Sequence, residues 1–220
     1  TYMGKVSILT KEQDIILAEV KKSGFLSTNF YFTGGTALSA FYLQHRYSDD
    51  LDFFSEKNID SEILFTFFQD LSKQYGFTFT SEFQEVVYIF LLKFNNSTTL
   101  KVDFGYYPYK QIEKPNEENG IKTDSLTDIA VNKLLTITQR TAVKDFVDLY
   151  FLLEKFSVWD LIEGVEIKFK MQLEPFILAS DLLKVEDFDY LPKMIKPLKI
   201  DTLKSYFRQK AKEIGRKSTI

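Results

Sequence analysis

Two carboxylates spaced two residues apart stand in the run Ser48-Asp49-Asp50-Leu51-Asp52-Phe53-Phe54. On an extended strand alternate side chains share a face, so Asp50 and Asp52 are expected to project together while Leu51 and Phe53 turn to a core. Neighbouring carboxylates repel unless a cation sits between them. Magnesium, which prefers oxygen ligands, is the natural partner, and phosphoryl and nucleotidyl transfer use such pairs to hold one or two metal ions. Taken alone, a solvated acidic strand edge accounts for the pair equally well. A third acid lies in Leu100-Lys101-Val102-Asp103-Phe104. If that strand pairs beside the first, Asp103 reaches the same metal and can serve as general base to an attacking hydroxyl; otherwise it is a strand-end carboxylate capping a loop.

Ahead of the acids, Gly34-Gly35-Thr36 follows a short apolar run. A glycine turn opening a helix presents free N–H groups that bind phosphate, and glycine lets the ligand approach the backbone. Thr36 would add a hydroxyl donor, and Arg46 and Ser48, just before the acidic strand, are further phosphate-contacting candidates. A Gly-Gly pair is also simply a common turn. Later in the chain Lys133 and Arg140 lie two helical turns apart on one face and could meet triphosphate oxygens. Asp145 and Asp148 share a face, and Asp145 could orient Lys133 or touch the base or ribose. A surface salt-bridge cluster between two antiparallel helices explains the same spacing. His45, the single histidine, reads as the end of a helix rather than a catalyst.

These residues need elements to position them. Apolar periodicity predicts helices over Thr10–Lys22, Thr36–His45 and Asp60–Tyr75, the last stopped by Gly76. Strands are expected over Asn29–Thr33, Leu51–Phe54, Phe77–Ser81, Val86–Phe94 and Thr98–Tyr106, with Asn95-Asn96-Ser97 as a hairpin connection. Pro108–Asp124 is polar and reads as a linker or long loop. Beyond it the pattern is helical: Ser125–Arg140, Val143–Phe156, Trp159–Lys170, Pro175–Leu183 and Asp201–Gly215. The chain is therefore an α+β core over residues 1–107 followed by a helical domain over 125–220, which would complete an active-site cleft.

With no cysteine and one histidine among 220 residues, disulfide scaffolds, thiol nucleophiles and Cys- or His-rich zinc sites are excluded. A net charge of −3 gives no global basic field for nucleic acid. Lys204, Arg208, Lys210, Lys212, Arg216 and Lys217 nevertheless concentrate near the end of the sequence. The 22 Phe and 12 Tyr are read as core packing rather than a base-stacking surface. No apolar run approaches the ~20 residues that span a bilayer, and no signal-peptide pattern opens the sequence, so no membrane association and a cytoplasmic location are expected.

The combination of Gly34-Gly35, a helix, Asp50-Leu51-Asp52 and Asp103 on a later strand resembles the nucleotidyltransferase fold of polymerase-beta type. The fuller run Thr33-Gly34-Gly35-Thr36-Ala37-Leu38, Tyr42-Leu43-Gln44-His45-Arg46 and Ser48 to Phe54 resembles the AbiEii/AbiGii toxin family, to which the MenT toxins are related. Asp128 to Leu135 with Lys133, and Val143-Lys144-Asp145-Phe146-Val147-Asp148, resemble that family's helical motifs, with Lys144 where Arg is common. The likeness covers roughly residues 30 to 155. It implies a mixed sheet with flanking helices, then a helical half. It also implies a Mg2+ (or Mn2+) dependent nucleotidyltransferase. Asp50, Asp52 and Asp103 would be the metal ligands, with Lys133 and Asp145 in the catalytic set. Gly34, Gly35, Thr36, Arg46, Ser48 and Lys133 would hold the NTP. A toxin acting on RNA such as tRNA, with a cognate antitoxin, is implied likewise. The alternatives are a nucleotide- or partner-binding module without turnover, and transfer to a protein or small-molecule acceptor.

Overall fold

The computed structural model describes residues 8–217; for Lys217 only the backbone is described. Two compact units divide the chain. The first comprises residues up to 42 together with 48–110 and 114–124; the second comprises 43–47, 111–113 and 125 onward.

The first unit is built on a seven-stranded mixed sheet of order β3-β4-β5-β2-β1-β7-β6. Helix α1 (Lys11–Lys22) is opened by a capping box between Thr10 and Gln13. A short helix α2 (Gly24–Asn29), capped by Ser23, precedes β1 (Tyr31–Thr33). The sequence pattern places strand from Asn29 and no helix here, because six residues are too few to display a helical period. Helix α3 (Gly34–Ala37) starts at the glycine pair itself, two residues earlier than expected, and widens into a π-helical turn over Leu38–Leu43. Gln44, with φ 51°, ends it.

Strand β2 (Leu51–Ser55) alternates as its pattern demands, with Leu51, Phe53 and Ser55 buried and Asp52 and Phe54 half-buried on the other face. Helix α4 (Ser61–Tyr75) runs from the Asp60 cap to Gly76, whose φ of 68° stops it. Then follow β3 (Phe77–Gln84), β4 (Val87–Phe94) and β5 (Thr99–Tyr106). Phenylalanine fills the core: Phe32, Phe53, Phe68, Phe90 and Phe104 are all fully buried. The Phe53 and Phe104 rings stack at 5.0 Å, and Phe68 of α4 lies 4.3 Å from Phe90.

The segment expected to be a linker instead holds a hairpin, β6 (Asn116–Glu118) and β7 (Ile121–Thr123), which joins the sheet by a parallel bridge from Thr123 to Phe32. Its two-residue turn is Asn119-Gly120, both at positive φ, the backbone that Asn-Gly favours in tight hairpins. The signal was present but lay in a polar stretch without apolar alternation.

The second unit is helical: α5 (Leu126–Gln139), α6 (Val143–Leu152), α7 (Val158–Phe169), α8 (Pro175–Leu183) and α9 (Ile200–Lys217). Helix α5 packs on α6 and α7, and α8 on α9. A buried Lys168–Asp128 ion pair of 2.6 Å anchors α7 to α5. The same Asp128 accepts the N–H groups of Ile112 and Glu113. Residues 45–47 bond to the strap before α9: Ile195 and Lys196 donate to the His45 carbonyl, and Tyr47 to that of Lys193. Among the described residues no helix is long and apolar enough to cross a membrane.

Candidate active site

In the first unit, β5 pairs directly beside β2 in parallel, and Asp103 stands in register with Asp52. On Asp52's other side, β1 places Thr33 opposite it. Both acids therefore occupy one face at neighbouring positions, about one strand spacing apart. Gly34 follows Thr33 with φ 75°, and a Cβ there would lie 2.0 Å from Asp52 Oδ2. The glycine turn and the Asp52 carboxylate are thus in contact, and only glycine fits between them.

Asp50 sits half-buried just before β2. Its carbonyl accepts the hydroxyl of Thr36, which ties α3 to the start of the acidic strand. This hydroxyl, expected to be a phosphate donor, is used structurally here. The Ser48 and Asp49 carbonyls are held by the side-chain amide of the buried Gln13, at 2.9 and 3.0 Å. Asp124, fully buried, accepts from Thr33 Oγ1 at 3.0 Å, and its carbonyl accepts from Tyr42. Gln13 and Asp124 were not legible as site-positioning residues, because their partners are 35 and 91 residues away.

Lys101, two residues before Asp103 and on its face, adds a cation to the acids by ion-pairing with Asp103. Burial acts to lower the Lys101 pKa. The bond to Asp103 and the charges of Asp103, Asp50 and Asp52 outweigh it and hold the ammonium above its ordinary value. One cation therefore feels all three carboxylates. Among the described residues, no three His, Cys, Asp or Glu side chains stand together at metal-holding distance. The donor chemistry suits a hard divalent cation, and the Lys101 ammonium stands where positive charge is called for.

The second unit carries a separate buried cluster centred on Asp148. Its carboxylate accepts from His45 Nε2 at 2.7 Å, from Arg46 Nε at 2.6 Å and Nη2 at 2.8 Å, and pairs with Lys133 Nζ at 2.6 Å. Lys133 also donates to Asp145 at 2.7 Å, and Asp145 accepts from Arg140 Nε at 2.8 Å. The sequence-based link between Asp145 and Lys133 is thus realised as a direct bond. Arg46, expected at phosphate, is 3% exposed and committed to Asp148. Asp148, which the family resemblance left outside the expected catalytic set, is the hub of these bonds.

The electrostatics follow from this bonding. Burial pushes both carboxyls up, but Lys133 with Arg46 and His45 holds Asp148 well below the usual range, and Lys133 with Arg140 holds Asp145 below it. Lys133 is raised because Asp148 and Asp145 outweigh its desolvation. Desolvation dominates at His45 and lowers its pKa despite Asp148. With Nε2–H given to Asp148, its Nδ1 is buried without a hydrogen-bond partner, as suits a neutral ring.

The basic residues of α9 are partly consumed internally. Arg208 pairs with Glu186 at 2.7 Å, Lys210 with Glu213 at 2.9 Å, and Lys204 donates to the Glu186 carbonyl. The Lys217 side chain lies outside the described residues.

Residues 15–214 match the family described as nucleotidyl transferase AbiEii toxin, type IV toxin–antitoxin system. The chain is 34% identical over 212 residues to uncharacterized protein aq_aa25 of Aquifex aeolicus, covering 93% of this chain and 97% of that one. In fold it is similar to JHP933 from Helicobacter pylori (TM-score 0.57, 20% identity, 96% of this chain and 95% of that one). It is likewise similar to MenT4, nucleotidyltransferase toxin Rv2826c from Mycobacterium tuberculosis H37Rv (TM-score 0.58, 15% identity, 93% and 82%).

Proposed function

This chain belongs to the AbiEii nucleotidyl transferase toxin family of type IV toxin–antitoxin systems, and we propose that it moves a nucleotide from an NTP to an RNA hydroxyl, with tRNA the first acceptor to test. The observation that supports this reading is the in-register Asp52–Asp103 pair, with the Asp52 carboxylate against the Gly34 turn. Asp50, Asp52 and Asp103 would hold Mg2+ or Mn2+, which when bound neutralises charge on the phosphate oxygens. Gly34 and Gly35 leave backbone room for the phosphates. Asp103 takes the proton of the acceptor hydroxyl as its oxygen bonds the α-phosphorus. The bond from that phosphorus to the β-phosphate oxygen then breaks and pyrophosphate leaves. In the helical unit, Lys133 and Arg140, both bonded to Asp145, are the cations proposed to meet phosphate oxygens. The family's organisation supports a cognate antitoxin as partner.

The test is incubation with each α-labelled NTP, total tRNA and Mg2+, followed by gel separation. Label on an RNase-sensitive band that is lost in Asp52→Ala is expected. No transfer from any NTP, or transfer undiminished in Asp52→Ala, overturns the reading. Label on an RNase-resistant band moves the acceptor away from RNA.

A further inference from the structure

Lys101 stands at the acidic centre, yet neither the spacing of the acids nor the proposed chemistry uses it. It sits at the third-acid strand, part-exposed at 35% of its side chain, bonded to Asp103 and within the field of Asp50 and Asp52. Strand alternation points Lys101 and Asp103 to one face, and β5 holds that face beside Asp52 through a continuous run of pairs from Leu51–Val102 to Ser55–Tyr106. The Lys101 backbone is fixed on the same strand as Asp103, two residues before it, and its ammonium is held there by the ion pair with Asp103. Asp52 and Asp103, side by side in register, repel one another, and a nearby counter-charge relieves that repulsion. Among the described residues the acids are not drawn into a ready coordination sphere, and Asp103 is paired with Lys101.

We propose that Lys101 is a resident counter-ion of the acidic centre, which balances the carboxylates in the metal-free protein and must be displaced from Asp103 when a divalent cation binds. Lys101 is thus a positioning residue that sets metal affinity: it keeps the site assembled at the cost of competing with the metal. The proposal rests on the metal-binding reading above. It differs from a plain stabilising salt bridge in one respect. Removing the lysine lowers the stability of the metal-free protein but strengthens its hold on the cation.

The experiment measures Mn2+ binding to the full chain without nucleotide, by electron paramagnetic resonance of free Mn2+ at pH 8, for wild type, Lys101→Met and Lys101→Arg. Removal of a competing unit charge at a part-exposed site should tighten Mn2+ binding about tenfold in Lys101→Met. Lys101→Arg, which keeps the charge, should stay near wild type. In EDTA, Lys101→Met should melt below wild type, and Mn2+ should raise its melting temperature by more. A second measurement needs no variant: acetylation of the Lys101 amine in wild type, followed by mass spectrometry, should increase severalfold on adding Mn2+ relative to Lys57 and Lys110. Equal or weaker Mn2+ binding by Lys101→Met, or Lys101 acetylation indifferent to Mn2+, overturns the proposal while leaving the metal site standing. Absence of Mn2+ binding by wild type and variants alike overturns the metal reading itself, and this proposal with it.

Discussion

Replacing Gly34 by alanine tests whether the glycine turn is built around the Asp52 carboxylate. Its φ of 75° lies in the left-handed region, which costs a residue bearing a Cβ about 1–2 kcal/mol. The new Cβ would meet Asp52 Oδ2 at 2.0 Å, Cγ at 2.7 Å and Cβ at 2.9 Å. Rotating the carboxylate relieves the first two contacts. The third belongs to a strand pinned by Thr33 on one side and Asp103 on the other, so backbone must move. Overpacking of this kind costs about 1–3 kcal/mol. Together the penalties come to about 2–5 kcal/mol, or roughly 5–15 °C in Tm for a chain of this length. A displacement near 1 Å of a catalytic group also costs about 100-fold in turnover. Differential scanning fluorimetry and labelled-NTP transfer read the two effects. Gly24→Ala is the control, since nothing lies within 4 Å of a Cβ there and helix propensity favours alanine by up to about 1 kcal/mol. If Gly34→Ala matches Gly24→Ala in both melting and turnover, the account of the turn is wrong.

The single histidine allows a clean titration: its imidazole 15N shifts should report a neutral ring with the proton on Nε2, titrating below the ordinary value of about 6.5, and a ring charged at pH 7 contradicts the assignment. Because the folded pKa is depressed, the unfolded chain takes up this proton first. Stability should therefore fall as pH drops below about 6.5, by up to about 1.4 kcal/mol per pH unit, and urea unfolding of His45→Gln between pH 7 and 5.5 should lack that slope. Asp145 and Asp148, held below the carboxylate range, contribute stability that is present above about pH 4 and lost as pH falls through their folded values. Asp148→Asn leaves Arg46 and Lys133 short of their shared anion and should cost about 3–5 kcal/mol; a loss under about 1 kcal/mol by chemical denaturation would count against Asp148 as the hub. Lys168→Met leaves Asp128 with only the Ile112 and Glu113 N–H groups and the Ser125 hydroxyl and should destabilise by a similar amount, read as a lower midpoint in urea unfolding; an unchanged midpoint refutes it.

Much of the fold was legible because its signals are local. Alternation in Leu51–Phe54, the Asp60 cap and the Gly76 stop each act within a few residues, and the strands and long helices appear where those signals place them. Helix α2 and the β6–β7 hairpin were not legible as such: the first is too short for periodicity, and the second is held by a sheet edge that exists only after folding. The acids were legible from spacing, but that Asp103 stands against Asp52 is a matter of strand order, which spacing alone does not determine. Arg46 shows the same limit from the other side. Its place just before an acidic strand suggested phosphate contact, whereas a carboxylate 102 residues later holds it in the second unit. Lys101 was in plain view beside Asp103, yet on a solvated strand face a lysine is ordinary, and only the register gives it meaning.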